Sequence, residues 1–329
     1  MTAPRAVIFG LAGPVLAPEE KRFFRDNGPL GFILFARNIE NPDQVRALVA
    51  DLRAAVGRDA APVLIDQEGG RVQRLRAPHW HEAPPAARFG ALFARDQAEL
   101  AALGITVDCA PVLDVPVAGA HDVIGDRAFA HDPAIVVELG RAAIEGLLAG
   151  GVIPVVKHIP GHGRAFADSH KELPRVDATF AELESSDFVP FRALKDASWA
   201  MTAHVLYAAL DPARPATQSP AVIERTIRQR IGFGGVLLSD DVGMSALQGD
   251  FQTRAGACLV AGCDVVLHCS GVMAEMRAVA DGIGLLSNAA QDRVARAEAL
   301  RRKSVEPFDA AEDRARVDAA LAGTRVERR

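Results

Sequence analysis

Cysteine is scarce, with Cys109, Cys258, Cys263 and Cys269 the only four in 329 residues. The last two flank the apolar run DVVLH. The set reads as buried free thiols of a reducing compartment, not as a disulfide frame or a zinc site. No charge of one sign dominates. The formal net charge is −5 and Arg and Lys are scattered, so no basic stripe offers a nucleic-acid footprint. No apolar run reaches the length of a membrane span, and the opening MTAPRAVIFGLAG lacks the basic start and cleavage site of a secretory leader. The expectation is a cytoplasmic protein with no membrane partner. Also missing is the G-x-G-x-x-G spacing after the first apolar run. Gly10, Gly13 and Pro14 stand near that place without forming it, which argues against a doubly wound dinucleotide fold. No low-complexity linker or composition break divides the chain, so residues 1–329 are read as one domain. The Arg-rich stretch from Arg314 to Arg329 is mixed with acids and reads as a solvated helix and tail.

What is present is a set of short apolar runs separated by longer helical patterns. The runs are AVIFGL near Ala6, GFILFA near Gly31, PVLID near Pro62 and ITVDCAPVLDV near Ile105. VIPVVKH near Val152, WAMTAHVL near Trp199, GVLLSDD near Gly235 and CDVVLHC near Cys263 follow. They are continuous rather than alternating, the pattern of strands buried on both faces. Helical spacing covers Asp43 to Val56, Pro133 to Leu148, Phe180 to Lys195, Ala221 to Ile231 and Thr253 to Ala261, with two or three more helices beyond Ser270. Eight such strands with intervening helices predict a single α/β (β/α)8 barrel of the TIM type with no second domain. A chain in which 49% of residues are apolar and 24% charged can bury such a core.

Barrel chemistry sits at the C-terminal ends of the strands. Strand three ends in Asp66, followed by Gln67-Glu68-Gly69-Gly70-Arg71 and Arg74. Strand four runs toward Asp114, and its loop holds Asp126 and Arg127. Strand five ends in Lys157-His158 and enters a Pro/Gly-rich loop with His162, Arg164, Asp168 and His170. Strand six ends in His204, strand seven in Ser239-Asp240-Asp241, and strand eight near His268. Polar groups at the same end of apolar strands are expensive to bury unless paired, so they predict a polar pocket.

These residues carry a resemblance. KHIPGHGRAFADSHKELP (Lys157 to Pro174) resembles the signature loop of the bacterial β-N-acetylglucosaminidases of glycoside hydrolase family 3, the NagZ type. DQEGGRVQRL (Asp66 to Leu75), IGDRAF (Ile124 to Phe129) and GVLLSDDVGM (Gly235 to Met244) resemble its other segments, in order. The resemblance implies a hydrolase with Asp240 as nucleophile, His170 as general acid/base and Asp168 as its orienting partner. It implies that Asp66, Arg74, Arg127, Lys157 and His158 hold the terminal sugar. The implied partner is a small sugar or muropeptide, N-acetylglucosamine linked to 1,6-anhydro-N-acetylmuramic acid peptides, cleaved in cytoplasmic cell-wall recycling. No cofactor, no metal and a monomer are expected. Two departures stand out. DDVGM lacks the Leu-Ser pair many relatives carry, and the extra C-terminal domain of some relatives is not expected.

The residues themselves leave alternatives. Glycoside cleavage needs a carboxylate below the anomeric carbon and an acid above the leaving oxygen. Asp240 at a strand end suits the first role, or is a helix cap or ion-pair partner. Imidazole as a class titrates near neutrality and can give and take a proton; His170 is otherwise a surface-loop histidine. Lys157 is a hydroxyl donor, a structural ion pair or a Schiff-base lysine. Arg74 and Arg127 can pair with Asp66 or Asp126. His158, His204 and Asp240 are the one candidate metal set, while Pro160, Gly161 and Gly163 exclude a helical His158–His162 zinc pair. Asp241, Asp114 and Asp126 read as structural, Glu68-Gly69-Gly70 as a turn, and His204 as a pocket-lining residue. Glucosides or xylosides are the competing substrates, and a non-catalytic sugar-binding barrel the competing function.

Overall fold

The computed structural model describes residues 3–80 and 98–305. Eight parallel strands close on themselves. They are β1 Arg5–Phe9, β2 Pro29–Leu34, β3 Val63–Ile65, β4 Val107–Asp108, β5 Ile153–Ile159, β7 Trp199–Thr202, β9 Val236–Asp241 and β10 Val265–His268. Around the ring the order is β1, β10, β9, β7, β5, β4, β3, β2, so the first and last strands pair, with Val7 opposite Val266. All eight expected runs are barrel strands. The short pair β6 Arg175–Val176 and β8 Leu206–Tyr207 forms a separate two-stranded parallel sheet. The run WAMTAHVL therefore supplies two strands, not one.

The continuous apolar runs follow from burial on both faces. Successive strand residues point to opposite sides. Ile8, Ile33, Leu64, Val107, Val155, Met201, Leu238 and Leu267 fill the barrel interior. Their neighbours Val7, Phe32, Val63, Val156, Ala200, Leu237 and Val266 pack outward under the helices.

The helices start and stop on recognisable signals. Pro42–Val56 is capped by the Asn41 side chain, which accepts from the Gln44 N–H at 3.0 Å, and it buries Val45, Leu48, Val49 and Leu52 along one stripe. Asp132 and Asp250 cap Pro133–Ala149 and Phe251–Ala261 in the same way. Beyond Ser270 the described residues form Met273–Asp281 and Asn288–Ser304. Two expectations change. The single helix expected over Phe180 to Lys195 is two, Phe180–Ser185 and Phe188–Ala193. Pro190 has no N–H to give, and its ring would meet the Ser186 carbonyl in a continuous helix. Val222–Ile231 is a π-helix, not an α-helix. The helix Pro18–Asn27 was not anticipated. Among the described residues no helix is long and apolar enough to cross a membrane. The tail from Arg314 to Arg329 lies outside the described residues.

Candidate active site

The site continues the inward-facing rows of the barrel. Leu64 is followed two residues on by Asp66, Val155 by Lys157, Leu238 by Asp240, Ile33 by Phe35 and Leu267 by Cys269. Each of these successors lines one cavity of about 500 Å³ at the C-terminal mouth. The register between β5 and β7 shifts between Lys157 and Ile159, and His158 lines the same cavity beside Lys157. The peptide bond joining Lys157 and His158 is cis. Arg74, Arg127, Asp168 and His170 complete the lining from their loops. Every residue expected to hold the sugar or carry the chemistry therefore borders one space.

On one side lies a dense ion network. Lys157 Nζ donates to Asp66 Oδ1 at 3.0 Å and contacts Glu68 Oε1 at 2.6 Å. Arg127 meets Glu68 bidentately, Nε and Nη2 each at 2.9 Å, and Arg74 Nη2 reaches Asp66 Oδ2 at 3.1 Å. Burial alone would raise the Glu68 carboxyl, but Arg127 and then Lys157 outweigh it and hold the group down at about 2. Burial would strip the Lys157 proton, yet Asp66 and Glu68 keep the ammonium above the ordinary lysine range. A lysine so held is a cation, which disfavours the Schiff-base alternative. Asp66 and Asp126 were the ion-pair alternatives open to Arg127; it pairs with Glu68, and Asp126 takes Arg71 at 2.7 Å.

Glu68 is the residue that sequence reasoning missed. The expected turn is there, with Gly69 at φ 88° and Gly70 at φ 58°, conformations that glycine alone enters freely. The Glu68 side chain nevertheless turns back into the network and is 3% exposed. Its signal was available, because Leu64, Asp66 and Glu68 share one parity.

Asp240 is the last residue but one of β9, with its Oδ1 accepting the Asp241 N–H at 2.8 Å. Burial pushes its carboxyl up, but the fields of His204 and His158, that N–H and Lys157 reverse the effect and leave it below the ordinary aspartate range. The neighbouring Ser239 hydroxyl donates to the Asp240 carbonyl and accepts the Leu267 N–H, fixing the strand end to β10. Asp241 accepts N–H bonds from Gly243 and Cys269, the structural role expected of it. His204 was expected on the pocket wall. It is fully buried behind the strand end instead, with Nε2 against the Asp241 carbonyl at 3.0 Å, and is not on the cavity lining. Among the described residues no three His, Cys, Asp or Glu side chains stand together as a metal-ligand set, His158, His204 and Asp240 included.

Across the cavity, His170 Nδ1 and its backbone N–H both meet Asp168 Oδ1, at 2.8 and 3.0 Å. Nε2 is thereby left for other work. Burial nudges the Asp168 carboxyl up, and the His170 N–H and ring bring it below the ordinary value. Asp114, expected to be structural, is buried and accepts the N–H of His158 at 3.1 Å and of His162 at 2.6 Å, while its Oδ2 orients His158 Nδ1 at 2.7 Å.

A buried carboxylate, an imidazole–carboxylate pair and a bed of paired cations at the mouth of a closed (β/α)8 barrel are the elements of a barrel glycoside hydrolase. Residues 15–301 match the glycosyl hydrolase family 3 N-terminal domain. The β-hexosaminidase of Methylococcus capsulatus is 40% identical over 279 residues, covering 80% of this chain and 82% of its own. That of Alkalilimnicola ehrlichii is 41% identical over 283 residues, 80% of each chain. Among solved structures, NagZ from Neisseria gonorrhoeae in complex with N-trifluoroacetyl-D-glucosamine superposes with a TM-score of 0.85 at 30% identity, covering 97% of this chain and 99% of that one. The chain belongs to glycosyl hydrolase family 3, as a β-hexosaminidase of the NagZ type.

Proposed function

We propose that this chain is a retaining exo-β-N-acetylglucosaminidase. It releases terminal N-acetylglucosamine from peptidoglycan fragments in cytoplasmic cell-wall recycling, and acts as a monomer built on one barrel. The observation that carries this reading is that Asp240 and the Asp168–His170 pair border one cavity, with Asp66, Arg74, Arg127, Lys157 and His158 on the same lining. The paired cations hold sugar hydroxyls. The ionised Asp240 carboxylate attacks the anomeric carbon while His170 passes its Nε2 proton to the departing oxygen, leaving a glycosyl ester on Asp240. Asp168 keeps the ring oriented through Nδ1. His170 then takes a proton from water, which displaces the ester and restores the carboxylate. With 64% of its side chain exposed, the His170 ring is open to an incoming sugar.

Turnover of a chromogenic β-N-acetylglucosaminide tests the reading. Asp240→Asn is expected to abolish turnover, and a slow fluorinated N-acetylglucosamine analogue to add one sugar mass at Asp240 in peptide mass spectra. A full-rate Asp240→Asn enzyme ends the mechanism. Faster turnover of the matching aryl glucoside or xyloside would redirect the substrate assignment.

A further inference from the structure

His170 is exposed and touches the protein chiefly through Asp168, yet the residue between them is among the most buried in the loop. Ser169 is 2% exposed. Its hydroxyl shares a hydrogen bond with His162 Nε2 at 3.3 Å, and its carbonyl accepts the Ala246 N–H at 3.2 Å. Ala246 lies in the loop that leaves β9, so Ser169 joins the loop bearing His170 to the loop that follows the nucleophile-type Asp240. His162, also 2% exposed, gives its backbone N–H to Asp114, which in turn grips the backbone and ring of His158. The His162 and His158 rings meet edge to face with centroids 5.6 Å apart, and His158 Nε2 stands 3.5 Å from Arg127 Nη2. A continuous set of polar contacts thus runs from the cation bed through His158, Asp114 and His162 to Ser169, and stops at the turn carrying Asp168 and His170.

We propose that Ser169, held by His162, is a positioning residue that pins the turn bearing the acid/base so that His170 is aimed at the leaving oxygen. His170 enters here as the acid/base of the reading above, on which this inference rests. Burial, followed by the field of His158, lowers the His162 imidazole to about 4, so its ring is neutral and its contact with the Ser169 hydroxyl persists across the neutral range. Removing that hydroxyl strips His162 Nε2 of its partner and frees the turn, while Asp168 and His170 keep their own bond. Proton delivery suffers; sugar binding and nucleophilic attack do not.

Leaving-group dependence of kcat/KM reads this directly, because an activated phenol departs without a proton and an alcohol does not. Four enzymes are compared on aryl β-N-acetylglucosaminides running from 2,4-dinitrophenyl to unsubstituted phenyl: wild type, Ser169→Ala, Ser169→Thr and His170→Ala. For Ser169→Ala the expected loss is within about threefold on the dinitrophenyl substrate and about 10–100-fold on the phenyl substrate, below the range of full acid catalysis. Ser169→Thr, which restores a hydroxyl, is expected to recover most of the phenyl activity. His162→Gln serves as a second probe from the other side of the contact and should give the same graded loss. If His170→Ala is graded and Ser169→Ala shows an equal loss on every substrate, or none, the pin is wrong while the acid/base assignment stands. If His170→Ala itself is ungraded, the acid/base reading falls and the pin with it.

Discussion

Glu68 concentrates the energetics of the site in one side chain. Two cations contact its carboxylate in a place that water scarcely reaches, and the group is depressed from its ordinary value of 4.5 to about 2. A carboxyl with a lowered folded-state pKa stabilises the fold fully above its unfolded value and loses that contribution as pH falls through the folded one. Glu68→Gln is therefore expected to destabilise the protein by about 3–5 kcal/mol at pH 7, the loss typical of breaking a buried pair from one side. The gap to wild type should close between pH 4.5 and about 2. Urea denaturation of both proteins across that range checks the sign; a gap that widens on acidification contradicts it. Asp108 behaves oppositely. It is fully buried, its Oδ1 accepts the Gln67 N–H at 2.9 Å, and its Oδ2 has no hydrogen-bond partner among the described residues. Burial raises the acid to about 8. The native state keeps a proton that the unfolded chain gives up near 3.8, so wild-type stability declines as pH rises from about 4 to about 8. Asp108→Asn retains an acceptor and cannot ionise. It should gain roughly 1–3 kcal/mol on wild type between pH 5 and pH 8, by the same denaturation measurement.

At the scale of elements, the loop between β5 and β6 depends on close backbone approach. A side-chain carbon on Gly163 would lie 2.1 Å from the Val115 carbonyl oxygen, and the Val117 N–H bonds to Gly163 O at 3.3 Å. Gly163→Ala must displace the segment that leads to Asp168 and His170. The expected result is a large fall in turnover of unactivated glycosides with a cooperative melt retained, measured by kinetics and calorimetry on the same sample. The strands were legible in the residues because a barrel buries both faces and writes that as uninterrupted apolar runs. Most helices were legible because apolar residues recur along them at helical spacing, as Val45, Leu48, Val49 and Leu52 do. Pro18–Asn27 was not, since its stripe is only Phe23 and Phe24 and its first residue follows Ala17, whose side chain cannot cap. The break at Ser186 and Asp187 was written in Pro190 but overridden by the apolar spacing around it. Within the site, strand parity picks out Asp66, Glu68, Lys157 and Asp240 as continuations of the inward rows. What parity cannot reveal is pairing between loops. The partners of Arg127, the reach of Asp114 to two histidines and the retreat of His204 behind the strand end depend on how distant segments fold back.

For the whole molecule, closure is the governing fact. Val7, Ile8 and Phe9 of the first strand pair with Val266, Leu267 and His268 of the last, and the interior layer needs residues from every strand around the ring. Stability is accordingly indivisible: a chain stopped after Asp241 is expected to show no cooperative thermal transition, whereas the full chain shows one. A surviving sharp transition in the shortened chain would refute that view. The same pairing has a meaning during translation. Ribosomes add roughly 5–20 residues per second, so the edge of the first strand waits on the order of ten seconds or more before its mate is made. For that interval the nascent polypeptide exposes an unsatisfied, oily strand border of the sort chaperones shelter. Its yield in a cell thus hinges on what guards the beginning of the chain until the end arrives.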